Sequence, residues 1–367
     1  MNIFSDKRIV MTLDAGGTNF VFTAMQGGKV ITKEITLPSY GHDLEKCIKT
    51  IKGGFQIVKE EIDGEPAAIS FAFPGPSDYP NGIIGDLYNL PGFRGGVPLG
   101  AILESEFKLP VFINNDGDLY AYGEALGGIL PEINQNLAAA GSPRKYKNLA
   151  GLTLGTGFGG GLVNDNKLWI GDNAIAAEVW LFSNRADQNV NAEELISTRA
   201  IRNSYARLAG IAADFALMPK DIADIATSRK EGNAEAAKIA FAEFGKALGD
   251  SVANLLTLID GIVVIGGGIT GASNLYMPAM MAELNSTFDQ ASGDKIPRLA
   301  QKIFNLDDEE QSKEFYKNRS KEIIVKETGK KLCYDPLPRL AVATSRIGAS
   351  RAIALGAYAY ALSKTEL

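Results

Sequence analysis

The residues best suited to chemistry in this 367-residue sequence are two glycine-rich loops and a few carboxylates, each set where an apolar run ends. The first loop is Asp14-Ala15-Gly16-Gly17-Thr18-Asn19 and the second is Gly155-Thr156-Gly157-Phe158-Gly159-Gly160-Gly161. Consecutive glycines let backbone N–H groups come close to an anion, because no Cβ intervenes and positive φ is tolerated. Either loop alone reads equally well as a structural hairpin; as a matched pair they suit the binding of one polyphosphate. Asp14 would repel bare phosphate, so its place at a strand end makes sense beside Mg²⁺ or its water. Thr156 adds a hydroxyl donor. A dinucleotide fingerprint fits poorly, because strand and not helix is expected after each loop. A Walker loop is excluded, because no Gly-Lys-Ser/Thr follows.

Phosphoryl transfer to an alcohol needs one carboxylate to take the hydroxyl proton, with neighbours holding the substrate in line. Asp116, in Asn114-Asn115-Asp116-Gly117-Asp118, is the candidate; the plain alternative is a turn or helix cap after an apolar strand. Glu178 stands in the run Ala174-Ile175-Ala176-Ala177-Glu178-Val179-Trp180-Leu181-Phe182. An unpartnered carboxylate would be costly there, so it is expected to meet a ligand or a buried donor. Glu193 and Glu194 suit either a ligand or the first turn of a helix.

Composition narrows the chemistry further. The chain holds one histidine, His42, and two cysteines, Cys47 and Cys333, too few for a four-ligand zinc site. Ser-His-Asp and Cys-His catalysis would both have to use His42, which reads as a loop residue between Gly41 and Asp43. Carboxylates are therefore expected to carry the acid-base work. With 37 basic and 43 acidic side chains the net charge is −6, and no basic stretch suits nucleic acid. No apolar stretch approaches the roughly 20 residues that span a bilayer. Without a signal pattern at Met1–Lys7, a cytoplasmic protein with reduced thiols is expected.

The elements that must position these residues follow from hydrophobic pattern. Ile9–Leu13, the loop, Phe20–Met25 and the turn at Gln26–Lys29 read as strand, loop, strand, hairpin, strand. Gly17, Thr18, Phe20 and Lys29 recur 138 positions later as Gly155, Thr156, Phe158 and Lys167, with a turn at Asn164-Asp165-Asn166, so the chain looks internally duplicated. Pro66–Phe73 reads as a strand ending at Pro74-Gly75-Pro76-Ser77, and Leu109–Ile113 as a strand ending at the Asn-Asp cluster, with helix over Leu119–Leu126. Ile262–Ile265 runs into Gly266-Gly267-Gly268, flanked by packed helices at Ala236–Leu258 and Ala352–Leu362. Alternating strands and helices give an α/β fold, whose ligands collect at the carboxyl ends of strands. Residues 131–147 and 286–336 look like surface insertions made of helices and loops.

These motifs together resemble the repressor, open-reading-frame and kinase (ROK) family of sugar kinases, within the actin, hexokinase and heat-shock ATPase superfamily. Asp14–Asn19 is similar to its first phosphate motif, Phe73-Pro74-Gly75-Pro76 to its sugar loop, and Asn115–Glu124 to its Asn-Asp catalytic segment. Leu154–Gly161 is similar to the second phosphate motif and Ile265–Gly268 to the adenosine motif. The resemblance implies two actin-like (ribonuclease H-like) domains with an active-site cleft between them: residues 1–117 with 351–367, and residues 118–350. It implies an ATP- and Mg²⁺-dependent hexose kinase, glucose being the first candidate. N-acyl-hexosamine or fructose kinase activity, or a non-catalytic sugar sensor, are the alternatives. Asp116 would be the general base, with Gly75, Asn89, Asn115, Glu178 and Glu193 on the sugar. Asp14, Gly16, Gly17, Thr18, Asn19, Gly155, Thr156, Gly157, Gly266, Gly267 and Gly268 would hold the nucleotide. The family's Glu-x-Gly-His stands here as Glu178-Val179-Trp180-Leu181, and its cysteine-rich zinc loop as Ser183–Val190, which implies a relative without structural zinc. A homodimer is implied as well. The first phosphate strand begins so near Met1 that no helix-turn-helix is expected before it, and none is expected to bind DNA.

Overall fold

A computed structural model describes residues 2–75, 77–213 and 217–365. The chain divides into two compact units, Met1–Gly128 with Gly161–Ala176 and Ile347–Leu367, and Ile129–Gly160 with Ala177–Arg346.

The first unit opens with β1 (Ile9–Ala15), β2 (Asn19–Gln26), β3 (Lys29–Val30) and β4 (Ile35–Pro38). Gly27 and Gly28, with φ of 58° and 70°, make the tight turn between β2 and β3 that residues with Cβ resist. Helix α1 (Leu44–Glu61) follows, its first turn capped by Asp43, whose side chain accepts from the Lys46 N–H at 3.1 Å. Then come β5 (Pro66–Ala72), the small ladder β6 (Ser77–Asp78) and β7 (Ile83–Ile84), helix α2 (Leu99–Phe107), β8 (Val111–Asn114) and helix α3 (Asp116–Gly127). The sheet order is β3-β2-β1-β5-β8, with β1, β5 and β8 parallel. Their carboxyl ends carry Asp14, Phe73–Gly75 and Asn115-Asp116. Alternation splits the sheet into two faces. Ile9, Met11 and Leu13 join a core with Cys47, Ile51, Phe55 and Val58 of α1, whereas Ala72 packs with Leu119 of α3 and Ala357 farther along the chain.

The second unit contains α4 (Ile129–Ala139), β9 (Leu149–Leu154) and the start of β10 (Phe158–Asn164), whose second half and β11 (Lys167–Trp169) cluster with the first unit. The turn between them, Asp165-Asn166, has φ of 49° and 59°, repeating the Gly27-Gly28 geometry with residues that tolerate it. Next are β12 (Ser183–Asn184), β13 (Asp187–Asn191), α5 (Thr198–Ala209), α6 (Pro219–Ala226), the 26-residue α7 (Ala234–Ile259), β14 (Ile262–Gly266) and α8 (Ser273–Leu284). The charged stretch expected as helices and loops instead holds the hairpin β15 (Thr287–Asp289) and β16 (Lys295–Pro297), β17 (Lys302–Asn305), α9 (Glu309–Tyr316), and the ribbon β18 (Lys321–Ile324) and β19 (Lys331–Tyr334). After it comes β20 (Arg339–Thr344), and α10 (Ala349–Lys364), in the first unit, ends the chain. Strands β9, β14, β20 and β17 form a parallel core in that order. β17 and β20 hide from a pattern reading. β17 buries only Ile303 and Phe304, and β20 starts on the buried Arg339, whose charge is met by Asp335 at 2.6 Å and by the Phe315 carbonyl at 2.9 Å.

The unit that holds α3 extends past the boundary expected at residue 117. A Cβ on Gly123 would stand 1.8 Å from the Ala352 carbonyl oxygen, and one on Gly356 would stand 1.9 Å from that of Leu119. Backbone contact this close clamps α3 to α10. Likewise a Cβ on Gly161 would meet the Gly117 carbonyl oxygen at 2.3 Å, which draws the second hairpin to α3. Among the described residues no helix is long and apolar enough to cross a membrane.

Candidate active site

In the first unit the site residues stand on three loops after parallel strands. The Gly16-Gly17 loop is tight for want of space and not for unusual φ: a Cβ on Gly16 would lie 2.7 Å from the Asn19 carbonyl oxygen, while neither glycine has positive φ. Ser39 fixes the loop from outside, its N–H donating to the Thr18 carbonyl at 2.8 Å and its hydroxyl to that of Gly17 at 2.6 Å. Asn89 lies alongside, its carbonyl oxygen 4.0 Å from where a Gly17 Cβ would be. Arg94 holds the Asn89 turn by donating to the Leu87 and Phe93 carbonyls at 2.7 and 2.8 Å.

The loop after β5 is organised by a residue the sequence reading passed over. Tyr79 is buried and donates its hydroxyl to the Phe73 carbonyl at 2.9 Å; a Cβ on Gly75 would come within 2.9 Å of the Tyr79 hydroxyl oxygen. Burial pushes the Tyr79 hydroxyl far above its usual range, opposed by a hydrogen bond with the Asn115 side chain and reinforced by the charge of Asp116. Tyr79 thus joins the Gly75 loop to the Asn-Asp pair. Its only sequence signal is an aromatic residue three positions after Pro76, and Pro76 itself lies outside the described residues.

Asn115 is the N-cap of α3, as the plain alternative had it: its Oδ1 accepts from the Gly117 N–H at 2.8 Å. Asp116 is the first helical residue, exposed, and its Oδ1 accepts from the same N–H at 2.9 Å. A carboxylate there sits in the favourable field of the helix N-terminus. Burial raises the pKa of Asp14, and the nearby negative charge of Asp116 raises it further. A cation beside Asp14 would relieve it.

In the second unit, Gly155-Thr156-Gly157 is gripped from two sides. Thr198, at the start of α5, donates its N–H and its hydroxyl to the Gly155 carbonyl at 2.8 and 3.0 Å. Ser197 caps α5, its side chain accepting from the Ala200 N–H at 3.3 Å. Glu193 accepts from the Phe158 N–H at 3.1 Å, and a Cβ on Gly157 would stand 2.5 Å from its Oε2. Glu193 thus faces the glycine loop. It also lies in a short 3₁₀ turn, Ala192–Glu194, capped by Asn191. At the end of β14, Gly267 has φ of 93° and fits where a Cβ would meet the Leu154 carbonyl oxygen at 2.3 Å. Gly266-Gly267-Gly268 and the second glycine loop are thereby neighbours. No Cβ contact limits Gly155 or Gly268.

Glu178 departs from expectation. The apolar run around it forms turns and a 3₁₀ segment, Val179–Leu181, and not a core element, so Glu178 is exposed, as are Ile175 and Leu181. Its partner is the Trp180 indole N–H, which donates to the carboxylate. Ala177, just before it, has φ of 63°, rare for a residue with a Cβ. The Ala192 N–H donates to the Phe182 carbonyl at 2.9 Å, and β12 pairs with β13, so Glu178 and Glu193 follow on from the same open end of one hairpin. Side-chain hydrogen bonds anchor that ribbon to α7. Asn184 donates to the Ala247 carbonyl at 2.8 Å and to Ser251 at 3.1 Å, and the Arg185 N–H donates to Asp250 at 2.9 Å. Asp250 is in turn paired with the buried Arg298 at 2.5 Å.

The sequence pattern of the ROK family matches residues 10–302. A glucokinase structure from Parabacteroides distasonis is 48% identical, covers 99% of this chain and 100% of its own, and superposes with a TM-score of 0.91. The N-acetyl-D-glucosamine kinase of Vibrio cholerae is 28% identical over 283 residues, 72% of this chain and 85% of its own length. A ROK glucokinase from Streptomyces griseus, solved with glucose and AMPPNP, has the same fold at 18% identity and a TM-score of 0.57, over 97% of this chain and 99% of its own. The α/β fold with two mixed sheets is the fold of two actin-like domains that these kinase structures share.

Proposed function

The chain belongs to the ROK family as one of its sugar kinases, and on that premise we propose that it transfers the terminal phosphoryl group of ATP to a primary hydroxyl of glucose. The observation that carries this reading is Asp116: an exposed carboxylate at a helix N-terminus, beside the Gly75 loop through Tyr79 and within electrostatic reach of Asp14. Asp116 takes the hydroxyl proton as the oxygen attacks the phosphorus. Asn115, Gly75 and Asn89 bind neighbouring hydroxyls, and Glu178 and Glu193 bind others. Backbone N–H groups of Gly16, Gly17, Thr18, Asn19, Gly155, Thr156 and Gly157 stabilise the charge that spreads over the phosphoryl oxygens. Gly266, Gly267 and Gly268 accept the adenosine.

Asp14 fits a Mg²⁺ ion that accompanies ATP, because its carboxylate is held above its ordinary pKa by burial and by a like charge. Mg²⁺ there would neutralise phosphate charge. The anchoring of β12 and β13 to α7 by Asn184, Arg185 and Asp250 supports a reading without structural zinc, since the ribbon that carries the two glutamates is already held.

The likeness to the glucokinase, spanning nearly the whole chain, favours glucose. The Vibrio cholerae relative favours N-acetylglucosamine as the second reading. Purified protein, assayed with ATP against glucose, mannose, fructose and the N-acyl-hexosamines by coupled ADP release, tests both. Highest kcat/KM with glucose is expected. A higher value with an N-acyl-hexosamine moves the assignment to that sugar. No turnover with any sugar, alongside sugar-induced thermal stabilisation, overturns the kinase and leaves a sensor.

A further inference from the structure

Residues 286–336 read as a charged surface insertion, yet their first hairpin places a cation in the interior of the second unit. Arg298, directly after β16, is buried, and its N–H donates to the Ser286 carbonyl at 2.9 Å, which closes the base of the β15–β16 hairpin. Its guanidinium lies over the ring of Phe288 on β15, 5.3 Å from the centroid. Its Nη2 donates to Asp250 Oδ1 at 2.5 Å, and its Nη1 stands 3.2 Å from Glu283 Oε1. Arg185, in the turn between β12 and β13, meets the same partners. Its guanidinium is 5.4 Å from the Phe288 centroid and 3.3 Å from Glu283 Oε1, and its backbone N–H donates to Asp250 Oδ2 at 2.9 Å. Two cations and two carboxylates thus balance one another around one ring.

This cluster holds one end of a ribbon that needs holding. β12 and β13 pair at Ser183 with Asn191 and at Asn184 with Asp187, with an irregularity between, and a two-stranded ribbon is marginal by itself. Arg185 and Ala186 form its closed end. At its open end Glu178 precedes β12 and Glu193 follows β13, and Glu193 accepts from the Phe158 N–H of the second glycine loop at 3.1 Å. Asp250, buried on α7, is the joint. A carboxylate offers two oxygens, and both are taken here, one by the insertion and one by the ribbon.

We propose, on the reading that Glu178 and Glu193 bind the sugar, that the β15–β16 hairpin is a clasp for the ribbon that carries them. Arg298 and Asp250 are its positioning residues: they fix the closed end and thereby set where the two glutamates stand. Phe288 keeps the guanidinium groups of Arg298 and Arg185 together. Sugar affinity therefore depends on a segment that holds no sugar ligand of its own.

Removing Arg298 alone would strand the buried charge of Asp250, so the pair is exchanged together. Asp250→Leu with Arg298→Met replaces two buried charges by apolar groups, which is often neutral for stability, and takes the acceptor from the Arg185 N–H. Its Tm should stay near that of the unaltered protein while the KM for glucose rises about tenfold, with kcat and the KM for ATP within about twofold. Phe288→Ala should raise the KM for glucose about threefold and add little on top of the paired variant, because both act through one joint. In a Trp169→Phe background the emission of Trp180, whose indole donates to Glu178, reports the open end of the ribbon without sugar and should shift in both variants. If the paired variant loses its fold, Phe288→Ala decides by the same readouts. An unmoved KM for glucose together with unmoved emission overturns the clasp, as does an equal rise in the KM of glucose and ATP. Glu178→Gln and Glu193→Gln test the sugar reading separately: if neither raises the KM for glucose, that reading fails and the Trp180 emission alone decides the clasp.

Discussion

Replacing Asp116 separates its chemistry from its place in the fold. The Gly117 N–H has two acceptors, Asn115 Oδ1 at 2.8 Å and Asp116 Oδ1 at 2.9 Å. Asp116→Ala removes one of them and leaves the N-cap in place. The usual penalty for losing a cap, about 1 kcal/mol, therefore should not appear in full. Removing the charge also relieves Asp14, whose carboxyl Asp116 helps to hold above its ordinary pKa. The net change in stability is thus expected to be under about 1 kcal/mol. Loss of a positioned base slows phosphoryl transfer by about 10²- to 10⁴-fold, a rise in barrier of roughly 3 to 5 kcal/mol. Steady-state kinetics by coupled ADP release should show kcat down by that factor with the KM for ATP little moved. Thermal unfolding should show a nearly unchanged Tm. The contrast variant, Asn115→Ala, keeps the carboxylate but takes away the cap and the hydrogen bond to Tyr79, so its Tm should fall more than that of Asp116→Ala. Near-normal turnover in Asp116→Ala would refute the base assignment, and a large Tm loss in it would refute the shared-acceptor reasoning.

Three further outcomes follow from the site and the thiols. Asp14→Asn should raise stability at neutral pH: the native carboxyl binds its proton more tightly than the unfolded one, so its cost is absent in acid and grows as pH rises through the raised pKa. A Tm difference that is the same at every pH would contradict this, and activity should be lost in either case. Trp180→Phe removes the indole N–H from Glu178 and should raise the sugar KM severalfold while leaving the ATP KM unchanged, so equal shifts in both would argue against a sugar-side role. Cys47 is buried and its thiol is pushed up to about 12, whereas Cys333 is exposed. A thiol reagent should therefore label one cysteine in native protein and two after unfolding, and peptide mapping that finds native labelling at Cys47 would contradict its burial.

The parts of the fold legible in the sequence are those where local chemistry and tertiary placement agree. The Gly27-Gly28 and Asp165-Asn166 turns, the strands on either side of them and the long α7 carry their own pattern, and the duplication follows from comparing the two hairpins. The α3 N-cap was legible as an alternative and proved to be the role Asn115 fills in the free protein. What escaped depends on partners distant in sequence. β20 hides because Arg339 is paired inside the unit, and Glu178 reads as buried because apolar composition does not reveal the turn that Ala177 begins. Tyr79 has no motif, only a hydroxyl placed between two loops. Of the glycines in the two loops and after β14 only Gly267 has positive φ; Gly16 and Gly157 are instead hemmed in by neighbouring atoms.

The clamp between α3 and α10 ties the last helix to the residue proposed as the base. Asp116 is the first residue of α3, and α3 touches α10 backbone to backbone at Gly123 and Gly356. No side chain stands between the two backbones at that contact. The placement of the proposed base then rests in part on Gly356, about 240 residues downstream of Asp116. A fusion or truncation that disturbs the last helix would act on turnover as a mistuned fulcrum does, leaving intact the loops proposed to hold sugar and nucleotide.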